Sequence, residues 1–434
     1  MKENYRIIII GAGISGISCG IRLKQLGIDD YIILEHDSRA GGLCQSFKFG
    51  PFYYDIGAHA LHYKALENTN LDKVINTKEI DMQKRNAKIF IYNRFVPHPF
   101  QLHLYYLPLI KKINCIYYYL KRKNVIGPAN LHDWLLSKFG KGICHEFLFP
   151  FNHKVWVSDE LKKISINIAK RIKSESIRVL YGFLFKNQNN YSTNEYVGYP
   201  LNGGFENFLN NSIFQIKDKI FFSKQLISVD LKNKTITTKD NDNVGYDILI
   251  NTIPIDKFIG MSQFPVGGVM YKNSRKLEKI SICLVTFLTK KIFTEYQRIY
   301  VSEEKYFAQR IIINSNSSEA FKKANCSIVS LEISYRNKNL LATEKEVIHN
   351  CKQLLIDTGL LKSMSEIIED KVDFFPYAYP LQSVGMERTI RDIKNYLGKY
   401  DCYTIGRFGE WNYENVDGMI VRAFDCIDDI IKKR

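Results

Sequence analysis

The sequence predicts an α/β fold: a nucleotide-binding βαβ domain that the chain leaves and re-enters, a mainly helical insertion, and a second, mixed or antiparallel sheet. Three stretches carry this expectation. Ile7-Ile8-Ile9-Ile10, the turn Gly11-Ala12-Gly13-Ile14-Ser15-Gly16 and the run Ile32-Ile33-Leu34-Glu35 read as a buried strand, a glycine turn opening an amphipathic helix, and a second strand with an acidic tip. Residues 219–254 read as short strands, and residues 280–336 alternate apolar and polar side chains.

Each residue of the first turn has a physical reason. Gly11 makes the tight turn, Gly13 lets backbone approach a pyrophosphate, and Gly16 permits close helix–strand packing. The N–H groups around Ile14 and Ser15, with the helix dipole, face the phosphates. Glu35, next to His36, is placed to accept hydrogen bonds from ribose hydroxyls. Further on, Ser38-Arg39-Ala40-Gly41-Gly42-Leu43 leads into Phe52-Tyr53-Tyr54-Asp55-Ile56-Gly57-Ala58-His59. A second glycine pair just past the ribose acid resembles the extended fingerprint of the flavin amine-oxidase and glutathione-reductase-like families. There it runs under the FAD pyrophosphate and beside the flavin ring, and NAD dehydrogenases usually lack it. The resemblance implies a Rossmann-like, glutathione-reductase-like FAD-binding domain, with FAD rather than NAD as cofactor. Gly41, Gly42, Leu43, Gly57 and Ala58 join the cofactor contacts.

After the first domain, residues 66–185 are expected to be mostly helical by apolar spacing, as in Leu131, Trp134, Leu135, Lys138 and Phe139. Residues 102–120 hold the longest apolar stretch, broken by Pro108 and Lys111-Lys112. They read as an ordinary core-and-surface helix or as one with a membrane-leaning basic-aromatic face. Ile220-Phe221-Phe222, Ile227-Ser228-Val229, Thr235-Ile236-Thr237 and the buried run Tyr246–Thr252 rebuild the first sheet, with Leu226 and Ile227 where related flavoproteins hold adenine through backbone groups. Ser281-Ile282-Cys283-Leu284-Val285-Thr286-Phe287 opens the second sheet, and residues 345–357 look helical. Tyr403-Thr404-Ile405-Gly406-Arg407-Phe408-Gly409 is a strand into a glycine turn, and a terminal helix begins near Val416. That helix start, with Asp417, Gly418 and Met419, aims its positive dipole end at an anion or at the flavin edge. Asp417 reads as an N-cap-region residue rather than a general base. The expected domains are 1–65, 200–275 and 385–434 for FAD binding, 66–199 mainly helical, and 276–384 as the sheet that carries substrate.

Composition bounds the function. A chain of 434 residues with 45% hydrophobic and 24% charged residues buries a sizeable core. Its net charge of +16 favours acidic small molecules, nucleic acid or anionic membrane surfaces, or else reflects a solvated basic face. No RRM, helix-turn-helix or zinc spacing supports nucleic acid, and no metal site is expected. Nine scattered cysteines without a C-x-x-C pair fit free thiols in a reducing compartment. The first strand begins within a few residues of Met1, which leaves no room for a signal peptide. No apolar run is long enough for a membrane span, so stable insertion is not expected, although peripheral contact and oligomerisation remain open. The expected location is cytoplasmic.

A more specific likeness lies in the later landmarks: Gly57-Ala58-His59, Val96-Pro97-His98-Pro99-Phe100-Gln101, Asn152-His153-Lys154-Val155-Trp156, Ala169-Lys170-Arg171, Tyr300, Phe307 to Arg310, Ser315-Asn316, Tyr379-Pro380, and Gly406-Arg407-Phe408-Gly409-Glu410-Trp411-Asn412-Tyr413. In order and separation, from residue 7 to about 424, the chain resembles the UDP-galactopyranose mutases, especially their longer eukaryotic-type branch. The resemblance implies a redox-neutral isomerase acting on a nucleotide-diphosphate sugar, with reduced flavin N5 as nucleophile at the anomeric carbon. By position Arg171 and Arg310 look like the family's diphosphate arginines, and Tyr300, Tyr379 and Tyr413 like its phosphate-binding tyrosines. Arg407 resembles the arginine beside flavin and sugar, and His59 the histidine at the flavin N5 edge. Asn152, Trp156, Gln101 and His98 correspond to nucleoside contacts. Two departures stand out: His98 replaces the family's tyrosine, and Ala58 replaces a glycine. The chemistry suits these residue types, because a guanidinium is always charged and matches phosphate oxygens as a fork.

Two other readings share the scaffold. A flavin oxidase or desaturase of the protoporphyrinogen-oxidase or phytoene-desaturase kind would have a greasy channel in place of converging Arg and Tyr groups. A binding scaffold like the Rab GDP-dissociation inhibitors would not need Glu35 and Gly41-Gly42.

Overall fold

The computed structural model describes residues 1–62, 74–123, 125–172, 176–186, 196–263, 268–336 and 342–433, with the side chains of Lys170, Arg171 and Ser176 excepted. The chain opens with β1 (Asn4–Ile10), α1 (Ile14–Gln25) and β2 (Tyr31–Leu34). Ile7, Ile8 and Ile9 are fully buried because both faces of the sheet are covered, as parallel strands require. A hairpin follows, β3 (Ser46–Phe49) and β4 (Phe52–Asp55), then the short β5 (Leu61–His62).

Residues 80–97 depart from the helical expectation. They form β6 (Ile80–Lys84), β7 (Ala87–Ile91) and β8 (Arg94–Pro97). β7 pairs in parallel with a strand of the second sheet, so this part of the expected helical insertion is built into that sheet instead. The reason is length and burial. Ala87, Ile89, Phe90 and Ile91 are all buried, and five residues between two turns can fill a sheet position but not a stable helix. Helices dominate afterwards: α2 (Leu109–Leu120), α3 (Leu131–Ile143), α4 (Phe149–Trp156) and α5 (Ser176–Leu184). Another strand within the expected helical stretch, β9 (Tyr196–Pro200), lies between β5 and β6.

The chain then returns to the first sheet with β10 (Ile220–Phe221), the hairpin β11 (Leu226–Asp230) and β12 (Thr235–Thr238), and β13 (Asn243–Asn251). The second sheet receives β14 (Lys279–Lys290), β15 (Arg298–Val301), β16 (Arg310–Ile313) and β17 (Cys326–Tyr335). α6 (Glu344–Asp357) precedes β18 (Ile367–Pro380). α7 (Met386–Gly398), β19 (Cys402–Thr404) and α8 (Val416–Lys432) finish the chain in the first domain.

The first sheet runs β10-β2-β1-β13-β12-β11, with β19 also on β13; β10, β2, β1, β13 and β19 are parallel, and β11 and β12 are antiparallel. α8 buries Met419, Ile420, Ala423, Phe424, Ile427 and Ile430, and Arg22 of α1 forks onto Asp428 at 2.7 and 2.9 Å. The second sheet runs β18-β14-β17-β16-β15-β7-β8. Its strand β14 is not half-exposed as its alternation suggests: between the half-buried Lys279 and the exposed Lys290 every residue is buried. The polar positions are hydroxyls with partners, such as Ser281 Oγ donating to Pro376 O at 3.0 Å and Thr286 Oγ1 lying 2.9 Å from Ser330 Oγ. The nine cysteines are free thiols. Among the described residues no helix is long and apolar enough to cross a membrane.

Candidate active site

The cradle forms where β1, β2 and β13 end side by side. Gly11 turns with φ +98°, and its N–H bonds Leu34 O at 2.8 Å. A Cβ on Gly16 would lie 1.9 Å from Gly11 O, so α1 reaches β1 only because residue 16 has no side chain. Gly13 caps α1 without any side-chain capping bond, and the first turn holds no acidic residue, so its N–H groups face outward as an anion site. Gly41 and Gly42, at φ +115° and +53°, press against Gly13; Gly41 N–H bonds Ala12 O at 2.9 Å. Glu35 is buried, accepting from Ala12 N–H at 2.7 Å and Asp37 N–H at 3.0 Å, with His36 Nδ1 2.7 Å away. Burial alone would raise its pKa, but these bonds outweigh burial and hold it below the usual carboxylate range. A carboxylate has about four lone-pair sites, so capacity for a ribose diol remains. Ser223 and Lys224 donate backbone N–H groups to Asp37 O and Glu35 O, which puts Leu226 at this end of the cradle.

From the cradle a cleft of about 500 Å³ runs into the space between the second sheet and the helices. Leu43, Ala58, His59, His98, Gln101, Asn152, Trp156, Tyr300, Arg310, Tyr379, Arg407 and Tyr413, all singled out in the sequence, line it. The side chain of Arg171 lies outside the described residues. On β16, Arg310 is opposite Tyr300 of β15 and Glu332 of β17. Arg310 Nη1 is 3.5 Å from Glu332 Oε2, while Tyr379 OH and Gln309 Nε2 donate to Glu332 Oε1. Burial would weaken the Arg310 charge; Glu332 and the tyrosines outweigh it and keep the guanidinium protonated. Its Nε is buried with no hydrogen-bond partner among the described residues, a donor left for a ligand.

Tyr379, Tyr413 and Trp156 pack edge-to-face, with centroids 5.4 to 6.3 Å apart, and Arg407 lies over both tyrosine rings at 5.3 and 4.7 Å. Asn152 holds Trp156 by accepting from its Nε1 at 3.1 Å and spends its own amide on Leu148 O at 2.7 Å. His59 stacks on Phe205 at 4.9 Å. Burial, then Arg407 and Arg298, push its pKa down to about 3, so the imidazole is neutral at ordinary pH. His98 sits 4.8 Å from the Tyr300 ring and is held well below its usual pKa by burial and neighbouring arginines.

The sequence reading missed three charged groups here. Arg85 donates to Tyr300 OH at 3.0 Å, and Arg298 donates to His59 O at 2.8 Å. Burial, then Arg85, push the Arg298 pKa down to about 10. Glu332 is the third. Two signals were present: Arg298 lies two residues before Tyr300 and so shares its strand face, and Glu332 is a lone charge in the apolar run of β17. Arg85 occupies a tight β6–β7 turn, where no periodicity marks it. Back at the cradle Gly406, with φ +95°, abuts Ser15, and Glu414, Asn415 and Val416 bring the start of α8 to the cleft. Asn415 is the N-cap, so Asp417 lies inside the first turn, followed by Gly418 and the buried Met419.

Residues 9–75 match the model of the NAD(P)-binding Rossmann-like domain. Polyamine oxidase 7 of Oryza sativa subsp. japonica is 50% identical over 54 residues, 12% of this chain and 11% of its own length. The chain thus spans about a tenth of the length of the curated relatives it matches. Among solved structures, a reduced UDP-galactopyranose mutase superposes with a TM-score of 0.89 at 23% identity, covering 99% of this chain and 96% of that one. A putative protoporphyrinogen oxidase from Exiguobacterium sp. 255-15 superposes at 0.76 with 13% identity, covering 99% of each.

The fold is that of the amine-oxidase-like flavoenzymes. The cradle fits FAD: open N–H groups of α1 for the pyrophosphate, Glu35 for a ribose, and Gly57, Ala58, His59 and Arg407 where the cradle meets the cleft. Gly57, at φ +85°, holds a backbone conformation that side chains rarely adopt, and a Cβ there would lie a tight 3.2 Å from Glu332 Oε2.

Proposed function

We propose that this protein is an FAD-dependent, redox-neutral isomerase that interconverts pyranose and furanose forms of a nucleotide-diphosphate sugar resembling UDP-galactose. The observation that carries the reading is the convergence of Arg85, Arg298 and Arg310 on Tyr300, beside Tyr379 and Tyr413, in a cleft continuous with the cofactor cradle. Reduced FAD, when bound, supplies the nucleophile for the anomeric carbon. The protein's own part is to hold a dianionic leaving group in place until it is needed again. Arg310 is the fixed donor, with Glu332 and Gln309 bracing it from below. Tyr413 adds a hydroxyl without adding charge, Tyr300 does so below about pH 8, and Tyr379 adds one if its proton turns from Glu332 to the diphosphate. Trp156, braced by Asn152, and Gln101 shape the nucleoside end, while His98 in place of a tyrosine leaves the choice of base open. Neutral His59 and cationic Arg407 border the flavin edge, and Arg171, at the end of the helical turn Ile166–Arg171, is assigned to the diphosphate with Arg310. A cytoplasmic location, where nucleotide sugars are available, belongs to this reading.

A flavin oxidase is the second reading, favoured by the apolar wall of Phe147, Leu148, Phe151 and Val155. One experiment separates them. The FAD-loaded enzyme, with and without dithionite, is incubated with a panel of UDP-, GDP- and dTDP-furanoses, and ring form is followed by chromatography. Interconversion is expected only in the reduced enzyme and without net use of electrons. Arg310→Ala should retain FAD and lose about a hundredfold or more in turnover, the usual cost of a preorganised donor. Equal activity in both redox states, or oxygen uptake with an amine or porphyrinogen and no nucleotide-sugar turnover, would overturn the proposal.

A further inference from the structure

We infer that the outer face of α2 and α5 docks the protein onto an anionic lipid membrane as a peripheral, non-inserting contact. α2 is apolar on its inner side, where Cys115 and Tyr119 are buried, but equally so on its outer side. Leu109, Ile110, Ile113, Tyr117 and Leu120 all face solvent, Ile110 with 81% of its surface open. α5 repeats the pattern: Ile177 is 84% exposed, and Tyr181, Leu184 and Phe185 are exposed with it. The two helices are neighbours, since Lys112 of α2 lies over the rings of both Tyr105, at 4.4 Å, and Phe183 of α5, at 4.8 Å. Together the two neighbouring helices present these exposed apolar and aromatic side chains, more than the scattered ones a surface normally carries.

Charge decides the occupant. From Met82 to His132 the sequence contains no Asp or Glu, and Ser176 to Lys186 contains none either. Lys112, Lys121, Arg122, Lys123, Arg178 and Lys186 lie on or directly beside these two helices. Among the described residues, the carboxylate at the edge of this face is Glu146, at 9% side-chain exposure, and it is spent on Lys111 and Tyr92. A second copy of the chain docked face to face would set this cationic border against itself, because a two-fold contact joins identical patches. Phospholipid headgroups supply the missing negative charge, acyl chains accept the Leu and Ile tips, and Tyr105, Tyr117 and Tyr181 suit the boundary between them. Gly182 of α5 packs against the Leu102 backbone, and the neighbouring Phe100 and Gln101 line the cleft, so the docked face lies one layer from the candidate active site.

The test is co-sedimentation of the FAD-loaded, full-length protein with phosphatidylcholine vesicles and with vesicles that also contain phosphatidylserine. Partitioning is expected to be about tenfold or more stronger onto the phosphatidylserine vesicles and to fall with added salt. Ile110→Glu combined with Leu184→Glu should abolish it, and Lys121→Glu with Lys123→Glu should remove the phosphatidylserine preference. Both variants should keep their flavin spectrum and solution turnover, which reports that they fold. Equal partitioning onto both vesicle types, no partitioning by the wild type, or a concentration-dependent dimer abolished by Ile110→Glu would overturn the assignment, the last giving the face to a second copy.

Discussion

Tyr300 sets the pH behaviour of the cleft. Burial by itself would raise the phenol's pKa, but Arg85, Arg310 and Arg298 together overrule it and bring it to about 8. Above that pH the free enzyme carries a phenolate among the guanidiniums, which cancels part of the charge that a diphosphate would meet. A bound dianion pushes the same phenol back toward neutrality, so binding and deprotonation oppose each other. kcat/KM should therefore fall along a limb centred near pH 8, and Tyr300→Phe should remove that limb while leaving the acidic side unchanged. The same alkaline limb in Tyr300→Phe would assign it elsewhere. His59, held at about 3, contributes no limb between pH 5 and 8. At this scale the sequence was partly legible. Arg310, Tyr379 and Tyr413 could be named because the landmark order around them is distinctive. Glu332 gives a weaker signal, since a lone charge in a strand that also carries serines reads equally well as a solvent-facing position. It is instead fully buried under Arg310, because both faces of β17 are covered.

Among the elements, the β1–α1 turn was legible to the residue and the β6–β8 segment was not. The turn has a local cause: Gly11, Gly13 and Gly16 are each demanded by geometry within a few residues. The strands of residues 80–97 have a distant cause, their pairing with β15, which no local pattern in so short a run announces. α6 was legible for the opposite reason, with its own period and a Thr343–Glu346 capping box. The local turn makes a sharp prediction. Gly16→Ala puts a methyl 1.9 Å from Gly11 O, and the clash is with backbone, so α1 must lift away from β1. Overpacking of this kind costs roughly 1–3 kcal/mol, too little to unfold most chains but enough to spread the anion cradle. The variant should keep its circular dichroism spectrum and lose FAD. Gly260→Ala, at a helical glycine with open space around it, should keep both. FAD retained at wild-type affinity by Gly16→Ala would show that the close approach is not what forms the cradle.

For the molecule as a whole, the proposed cofactor cradle draws on Gly11–Gly16, Glu35–Leu43, Gly57–His59, Ser223–Leu226 and Gly406–Val416, and the second sheet and the helices meet the same cleft. No segment of the chain carries the site alone. Glu332 of the second sheet lies so near the Gly57 turn that a Cβ there would be 3.2 Å from its Oε2, and Ser165 N–H bonds Gln382 O at 2.6 Å between the helical region and the loop before α7. Buried contacts of this kind couple the parts, so the flavin should be released as the whole chain unfolds rather than before it. FAD binds only the native arrangement and at a hundred times its dissociation constant adds about 2.7 kcal/mol of stability. Thermal unfolding of the loaded protein should then show flavin fluorescence and far-ultraviolet circular dichroism changing at one midpoint, which rises with added FAD. Two separated transitions, with flavin lost in the first, would mean that the nucleotide-binding part melts on its own. The cleft would then belong to an interface that opens independently, and its arginines would not be held in the fixed array on which anion capture depends.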